Sequence, residues 1–563
     1  MATSTPSLKE LLAADWEFQQ SDNPCFASQS GNHAYDDKLQ DISPAAFTAR
    51  LERNRELLEA MAEATADAEL ADDTVNINVE PMPSAVRQSG TGGGGRSDGK
   101  GGAAASGLSR ADFAMLRQSI ADETRALELG CHLFPVNSIG YGGVHYNFIE
   151  ALDWIGGSDG DGDGDGTGER TRDENLVARM EAFPAQCRQY KELLLEGVRR
   201  DRVASKAMIR KVPEQLRAAT QPPLLVKMVG AIDAAAHPEL RARADAALAK
   251  FGECIEDLVR FFEDEYAQHA REKSGCSGMS DEVGSQMYAL CLRFHTTTYV
   301  SLPFPLSRSP FVSCGVCDCL HQLFSRHSIS QNIPSYAMPR RRTMTPNEVH
   351  TLGRAEVARI EARYQNDVLK PLGFKGSFAD FVAECQDPSS GHYYTDPDEL
   401  LQGYRDLCDD IRKELPRFFD EFPESPLEVV AKDAASAPAA YYMQGTADGK
   451  RPGRFYVNVS NMAARPKYAM TALALHEGIP GHHHQNALAI ENPSIPPFRR
   501  FIEDRRYEYC PARRQLYAAY LEGWALYCEH LGEEMGAYKT PYDLFGRLSM
   551  EMMRAVRLVR CAA

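Results

Sequence analysis

The sequence predicts a mainly α fold, and three observations support this prediction. Apolar residues recur at helical spacing along most of the 563 residues, as Leu8, Leu12 and Trp16 do near the N-terminus. Few runs alternate between apolar and polar residues in the way that strands do. The clearest strand is GRFYVNVSN (453 to 461), which is bounded by turn-forming segments. We therefore expect a multi-helix unit, residues 5 to 559, with a small β-sheet.

Composition excludes several classes of protein. The chain is 43% apolar and 25% charged with a formal net charge of −17, as in soluble globular proteins, and it lacks the clustered basic surface that nucleic-acid binding needs. No window approaches the roughly 18 to 20 apolar residues of a membrane span, and the N-terminus does not resemble a secretory signal. The 14 cysteines are scattered without a paired framework. These features predict a cytoplasmic protein with no nucleic-acid or membrane partner; they do not indicate its oligomeric state.

The N-terminal helical part, 5 to 298, is interrupted by two segments of low complexity. Helical patterns cover 5 to 70, 111 to 133 and 174 to 262, whereas the Gly-rich composition of 74 to 107 is typical of a flexible linker. The Asp/Gly-rich segment 156 to 170 is predicted to be a solvated acidic insertion. Its alternative is a calcium loop, with ligands at Asp163, Asp165, Thr167 and Glu174.

Residues 299 to 342 have no sustained periodicity and are rich in Ser, Pro and Arg, which predicts an irregular insertion. The motif Cys314-x-x-Cys317-x-Cys319-x-His321 offers a metal site as the alternative, but it contains a single Cys-x-x-Cys pair. A catalytic part, 343 to 559, follows. It begins with a helix over 344 to 365, for which Thr345 is the expected N-cap, and continues with helices around 377 to 385 and 397 to 421.

The strand at 453 to 461 precedes the segment that carries the candidate chemistry. As an edge strand it could pair with an extended peptide backbone, and a structural hairpin is the alternative. The apolar run from Ala469 to Leu475 then predicts a buried helix that brings His476 and Glu477 into the interior. A buried His–Glu pair must have partners, and a metal ion is a common one.

The second metal ligand cannot lie one helical turn after His476, because Pro480 occupies that position. On an unbroken helix His482 would lie about 240° around from His476, and His483 would share its face but lie about 10 Å further along the axis. The segment Gly478 to Gly481 contains residues that break helices. A turn there could bring His482 back beside His476, so we favour His482 and keep His483 as the alternative.

A third ligand is expected from another helix, and the pattern over 513 to 530 predicts one. Glu522 and Glu529 are seven residues apart and lie on nearly the same face among apolar residues. Carboxylates there are costly unless they are paired or bound to metal. Glu529 and Gln485 are candidates for orienting the ligands. Gly523 suggests close packing against another backbone.

HEGIPGHHHQ (476 to 485) and YLEGWALYCE (520 to 529) resemble domain-of-unknown-function family 885, which belongs to the zincin metallopeptidase clan. The resemblance includes YALCLRFHTTT (288 to 298), MTPNEVHTLG (344 to 353) and YYMQGTADGKRPGRFYVN (441 to 458). It implies a helical zincin-like fold, a Zn²⁺ ion bound by His476, His482 and Glu522, and Glu477 as catalytic base. The implied activity is that of a peptidase, or one like a carboxypeptidase, with peptides as substrates.

The expected reaction is hydrolysis by a metal-activated water, with Glu477 as general base. Tyr527, or one of Tyr441 and Tyr442, is the candidate donor to the oxyanion. Relatives continue past MMRAVRLV with an Asp-Thr-Gly and a histidine-bearing segment, where this chain ends in Arg560-Cys-Ala-Ala563. Reduced or lost activity is therefore an expectation too. The rival hypotheses are an inactive zinc-binding homologue and a helical scaffold protein.

Overall fold

The structure is a computed structural model that describes residues 6–66, 110–136, 143–156, 171–273, 279, 281–296, 346–434, 437–446, 449–503, 509–514 and 516–562. The predicted linker at 74 to 107 and insertion at 299 to 342, with its Cys/His motif, lie outside the described residues. So does the Asp/Gly-rich insertion from 157 onward. Glu174, the last residue of the calcium alternative, accepts the Thr171 N–H at 2.8 Å in a capping box that starts a helix.

Helices form most of the N-terminal part, as the apolar periodicity predicts. They are α1 Leu8–Asp22, α2 Pro24–Ser30, α3 Pro44–Ala66, α4 Arg110–Leu129, α5 Val144–Leu152, α6 Arg172–Arg199, α7 Lys206–Ile209, α8 Val212–Ala218, α9 Pro223–Ala231, α10 Pro238–Arg260 and α11 Asp281–Thr296. Their largest shared core centres on three stacked or tilted rings, Phe148, Phe183 and Phe251, whose centroids lie 4.5 to 5.6 Å apart.

The C-terminal part is also helical, but it encloses the sheet. Its helices are α12 Pro346–Arg363, α13 Lys370–Leu372, α14 Phe378–Gln386, α15 Pro397–Glu414, α16 Met470–Leu473, α17 His482–Glu491, α18 Pro497–Arg500, α19 Ala518–Glu534 and α20 Pro541–Ala562. Two bounds differ from the prediction. Helix α15 ends at Glu414 rather than near 421, and α19 begins at Ala518 rather than at 513, because Tyr517 immediately before it has a left-handed backbone conformation.

The small sheet has three strands, β1 Leu427–Lys432, β2 Ala440–Met443 and β3 Gly453–Asn458, in the order β1-β3-β2. Strand β3 pairs in parallel with β1 and antiparallel with β2. The edge-strand alternative is therefore wrong, because β3 is central between β1 and β2, and the hairpin alternative is confirmed by the antiparallel pairing of β2 with β3. Phe455 and Val457 are fully buried and Tyr456 nearly so, which suits a strand that is covered on both faces.

Ion pairs join the two parts of the chain. Arg499 pairs with Asp112 of α4, while Arg514 reaches Asp15 of α1 at 2.9 Å and Glu123 of α4 at 3.2 Å. The Asp15 carboxylate is almost fully buried, so these contacts satisfy a charge that would otherwise be costly. In the described part of the chain, no helix combines the length and the apolar character needed to cross a membrane.

Candidate metal centre

A buried helical segment brings His476 and Glu477 into the interior, as predicted. Helix α16 is continued by a π-helical turn, Ala474–Gly478. The preceding apolar side chains are buried in the core formed with α15 and the sheet, and His476 and Glu477 themselves are only 5% and 8% exposed. A π-helical turn changes the direction in which side chains leave a helix, and such turns are frequent at functional sites.

The break predicted at Gly478 to Gly481 is present. Residues Ile479 to Gly481 lie outside the helices, and α17 starts at His482. A Cβ atom on Gly481 would lie 2.0 Å from the carbonyl oxygen of His476, so the turn requires glycine there. The indole N–H of Trp524 in α19 donates to the Pro480 carbonyl at 2.8 Å and holds the turn against that helix.

This turn returns His482 to His476, and α19 adds Glu522 to them. The two imidazole rings meet edge to face with centroids 4.9 Å apart. Glu522 Oε2 lies 3.5 Å from His476 Nε2 and 4.0 Å from His482 Nε2, and one donor atom from each of the three residues lies within 4.8 Å of the others. Donors around a tetrahedral zinc ion are about 3.4 Å apart, given Zn–N and Zn–O distances of about 2.0 to 2.2 Å. The distances from Glu522 to the two histidines come near this value, and two imidazoles with one carboxylate are a set of donors that zinc commonly takes.

His483, the alternative ligand, lies elsewhere. Its ring is 2% exposed and packs against β2, where Nδ1 is 3.3 Å from the Tyr442 hydroxyl. Burial lowers the pKa of His483 to about 4. The structure thus brings His482, and not His483, together with His476 and Glu522.

Glu529 and Arg554 support His476 on the Nδ1 side of its ring. His476 Nδ1 is 2.7 Å from Glu529 Oε1, and Arg554 donates to both carboxylate oxygens of Glu529, at 2.7 and 3.0 Å. Burial would raise the pKa of the Glu529 carboxyl, but the Arg554 charge and the bond to His476 outweigh it and lower this pKa. Glu529 is thus an ionised carboxylate on the back of a candidate ligand, as predicted for a residue that orients it.

Arg554 was not predicted from the sequence. It comes from α20, more than seventy residues after His476 and outside both motifs that indicate the site. A signal was nevertheless present: Arg547 and Arg554 are seven residues apart and therefore share one face of a helix that is otherwise rich in apolar residues. Both are buried.

Glu477 lies beside this group with its own set of contacts. Its carboxylate accepts a hydrogen bond from the backbone N–H of Tyr442, on the edge of β2 that faces away from β3. Burial raises the pKa of Glu477 to about 7, although the neighbouring His476 opposes the shift. A carboxyl with a pKa near the working pH can both take up and release a proton, as a general base must.

The anionic side chains dominate the electrostatics of the site. Burial alone would lower the pKa of His476, but its hydrogen bonds to Glu522 and Glu529, together with the charge of Glu477, raise it to about 10. The pocket therefore favours a cation at this position, which is the preference that a metal site requires.

The three tyrosines that are candidate donors to the oxyanion have different contacts from one another. Tyr527 packs near Trp524, with ring centroids 5.9 Å apart, and lies about 140° around α19 from Glu522. Tyr441 stacks on Tyr456 at 4.9 Å, and the Tyr442 hydroxyl contacts His483. These rings thus contact Trp524, Tyr456 and His483, the Tyr442 backbone N–H is bonded to Glu477, and a tyrosine as donor to the oxyanion stays a prediction.

Gln485 and Gly523 are two further residues of the motifs, and only Gln485 joins the helices. Gln485 of α17 donates to the Tyr520 carbonyl of α19 at 3.1 Å, so it ties together the two helices that supply candidate ligands. The sequence suggested close packing at Gly523, and this prediction is wrong. A Cβ atom there would have no neighbour within 4 Å. Its place in the helix has no steric explanation in the structure.

Comparisons with known proteins agree with this fold. The crystal structure of a "putative lipoprotein" from Colwellia psychrerythraea matches with a TM-score of 0.69 and 19% identity, over 98% of this chain and 83% of that one. The structure of a "putative lipoprotein of unknown function" from Shewanella oneidensis matches with a TM-score of 0.50 and 15% identity, over 97% and 81% of the two chains. At such identities the likeness is one of fold.

No curated protein matches the sequence. The model of a family described as "Bacterial protein of unknown function (DUF885)" matches residues 24–303 and 340–560, which is most of the chain and includes every residue of the candidate metal centre. The predicted family is thereby confirmed, and the chain belongs to DUF885.

Proposed function

We propose that this protein is a zinc-dependent hydrolase of peptide bonds with a zincin-like catalytic centre. His476, His482 and Glu522 would hold the metal, and Glu477 would be the general base. The observation that carries the proposal is the convergence of two imidazole nitrogens and a carboxylate oxygen within 4.8 Å, beside a buried glutamate whose pKa is raised to about 7.

Three protein ligands are the number that catalytic zinc sites use, because a fourth position stays open for water or substrate. The hydrogen bond from His476 to Glu529 adds the carboxylate–histidine contact that commonly accompanies zinc ligands. A bound zinc ion would supply a Lewis acid that lowers the pKa of water to about 7 and polarises the scissile carbonyl.

The residues of the chain then perform the proton transfers. Glu477 accepts the proton of the attacking water and delivers it to the leaving amine nitrogen. The hydrogen bond from the Tyr442 N–H keeps the Glu477 carboxylate in place before the proton transfer. Glu529 and Arg554 keep the His476 ring in one orientation throughout, since both are buried and bonded to each other.

A scaffold that binds no metal is the second candidate, and one observation favours it. The Nδ1 atom of His476 and the carboxylate of Glu529 already have protein partners, so this buried pair is satisfied without an ion. An inactive homologue that binds zinc but cleaves nothing is intermediate between the hydrolase and the scaffold.

We propose a peptide as partner, no nucleic acid and no membrane, and a cytoplasmic location. The lipoprotein descriptions belong to the two neighbours, and cell fractionation would test the location.

The decisive experiment combines metal analysis with digestion of a peptide library by the purified chain. We expect about one zinc per chain, cleavage that a chelator abolishes, and recovery on adding zinc. Glu477→Gln should keep the metal and lose about 10²- to 10⁴-fold in rate. Glu534→Gln, an exposed change on α19, is the control.

The remaining outcomes would support one of the rival hypotheses or contradict the assigned base. Absence of metal after gentle purification would support the scaffold, and zinc without cleavage by the parent chain would support the inactive homologue. Cleavage that survives unchanged in Glu477→Gln would contradict the assigned base.

A further inference from the structure

Helices α6 and α10 pack side by side in the N-terminal part, and their contacts follow a regular order. Glu181 forms an ion pair with Arg243 at 2.7 Å. Further along, the rings of Phe183 and Phe251 stack with centroids 4.7 Å apart. A third contact joins Lys191 to Asp257. Residue numbers rise together on both helices, so the two run parallel along this seam.

Cys187 and Cys254 face each other within this seam. Cys187 lies four residues from both Phe183 and Lys191, and Cys254 lies three residues from both Phe251 and Asp257. Residues three or four apart share a helix face, so contacts on both sides of the two cysteines place them opposite each other. Their thiols are hydrogen-bonded to each other.

The two thiols differ in access and in surroundings. Cys187 is 4% exposed, whereas Cys254 is half-buried and can be reached from solvent. The hydrogen bond from Cys187 lowers the pKa of the Cys254 thiol to about 7; burial opposes this shift, and Lys250 assists it. Thiolates are the nucleophiles in disulfide exchange, so Cys254 is the thiol suited to react first.

We propose that Cys187 and Cys254 form a reversible disulfide that joins α6 to α10, with a small-molecule disulfide as the oxidant. This redox site is independent of the proposed hydrolase, because both cysteines belong to the core of the N-terminal part. It is a modification site for low-molecular-weight disulfides such as oxidised glutathione.

The exchange takes place in two balanced steps. The Cys254 thiolate attacks one sulfur of the small disulfide, whose S–S bond breaks and releases a thiolate; Cys254 is left in a mixed disulfide. Cys187 then loses its proton to the departing thiolate and attacks Cys254 Sγ, which releases the second small thiol. The protein loses two hydrogen atoms and two electrons, and the oxidant becomes two thiols.

The product would close residues 188 to 253 into a covalent loop. Because a cross-link restricts the unfolded chain more than the folded one, the oxidised protein should unfold at a higher temperature or denaturant concentration than the reduced protein. The parallel packing of α6 and α10 would be the element that is locked.

The test uses the purified full chain in its folded state, equilibrated in buffers of increasing ratio of oxidised to reduced glutathione. Free thiols are then alkylated in denaturant, which exposes the buried Cys187, and the chain is digested without reduction and mapped by mass spectrometry. We expect a linked Cys187–Cys254 peptide that lacks two hydrogens and increases with the oxidised fraction. The unfolding midpoint should rise in parallel.

Variants separate the two steps. Cys187→Ser should leave Cys254 carrying a glutathione adduct without a link, and Cys254→Ser should remove both. Cys385→Ser changes a buried thiol of a different core and should leave the link intact. The proposal is overturned if both thiols of the parent chain stay alkylatable in fully oxidising buffer, or if Cys254 takes up glutathione but never links to Cys187. Both outcomes are read from the parent chain, whether or not a variant folds.

Discussion

The two ring nitrogens of His476 face different partners. Nε2 points towards Glu522, at 3.5 Å, and Nδ1 contacts Glu529, at 2.7 Å. In the neutral imidazole, which is the form that binds a metal ion, a nitrogen that donates to a carboxylate holds the single proton and the other nitrogen carries the lone pair. Glu529 therefore prepares Nε2 to bind a metal ion, and Arg554 keeps Glu529 ionised by pairing with both its oxygens.

We expect loss of this support to weaken metal binding. Glu529→Gln removes the negative charge behind His476, and Arg554→Met leaves Glu529 buried without its cation. Each change should weaken zinc affinity by about 10- to 100-fold. Competition with a chromophoric chelator measures this affinity directly. Glu534→Gln, which removes an exposed carboxylate from the same helix, serves as the control. Equal zinc affinity in all three variants and the parent would show that Glu529 has no positioning role.

Adjacent histidines provide a matched pair of variants. His482 lies beside His476 and Glu522, whereas His483 contacts the Tyr442 hydroxyl. We expect His482→Ala to abolish stoichiometric zinc binding. His483→Ala should retain the metal and instead lower the free energy of unfolding by about 1 to 3 kcal/mol, since it leaves a cavity and an unpaired hydroxyl. Metal analysis and denaturant titration of both variants distinguish the two roles, and the reverse pattern would make His483 the ligand.

The motif made two candidate ligands and the candidate base predictable, because His476, His482 and Glu477 are close in sequence. Arg554 and the Tyr442 N–H could not be found in the same way. Their approach to the site depends on how α20 and β2 pack against the π-helical turn, and local sequence does not encode that packing. Backbone groups, moreover, carry no residue-type signal at all.

At the scale of elements, the segment from Ala474 to Gly481 determines the site. A regular helix would direct His476 and His482 to different faces, about 240° apart. The π-helical turn and the non-helical residues Ile479 to Gly481 reverse this, and the two rings meet 4.9 Å apart. The sequence indicated that the helix must break here, since Pro480 and Gly481 are poor helix formers, but it did not reveal the π-helical turn.

A single methyl group should disrupt this turn. Gly481→Ala would place its Cβ 2.0 Å from the His476 carbonyl oxygen and 2.3 Å from that of Leu475. Both oxygens belong to the backbone, so the turn must move. We expect His482 to be displaced, zinc binding to be lost, and stability to fall by about 1 to 3 kcal/mol or more. Zinc stoichiometry and thermal unfolding provide the measurements.

Gly523→Ala is the matched control, because no atom lies within 4 Å of the added Cβ. It should retain zinc and gain up to about 1 kcal/mol, since alanine is the better helix former. Should Gly481→Ala bind zinc as the parent does, the turn would not be what brings the histidines together.

Helices were easier to predict than their ends or the place of the strand. The capping boxes that begin α1 and α6 lie within four consecutive residues, so they are local signals. The central position of β3 depends instead on which neighbours pair with it. Strand β1 lies more than twenty residues upstream and pairs in parallel, an arrangement that no pattern within β3 specifies.

At the scale of the whole molecule, the site is assembled from α16, α17, α19 and α20, while ion pairs connect its surroundings to the N-terminal part. Arg499 and Arg514, on either side of the approach to α19, are both held by carboxylates of α1 or α4. The position of α19 relative to the His476 turn is thereby linked to helices more than 350 residues earlier in the chain. Periodicity predicted that these helices exist, but it carries no information on the long-range ion pairs that join them to the C-terminal part.

The N-terminal part also makes the fold sensitive to acid. His132 and His145 are 5% and 8% exposed. Burial lowers the pKa of His132 to about 3, with Arg200 and Arg50 contributing, and lowers that of His145 to about 4. In the unfolded chain these histidines have their ordinary pKa of 6.5 and bind protons below that pH. In the folded chain they stay neutral until the pH approaches about 4. Stability should therefore be complete above pH 6.5 and fall as the pH decreases towards 4.

The expected loss between pH 7 and pH 5 is about 2 kcal/mol for each of these two histidines. His132→Gln and His145→Gln should each reduce this pH-dependent loss by that amount, whatever their effect at pH 7. Denaturant titrations at both pH values measure it, and His237→Gln, at an exposed position, should leave the loss unchanged. If the two buried variants lost as much stability on acidification as the parent chain, both histidines would have to be protonated in the folded protein, and the acid sensitivity would have to come from other groups.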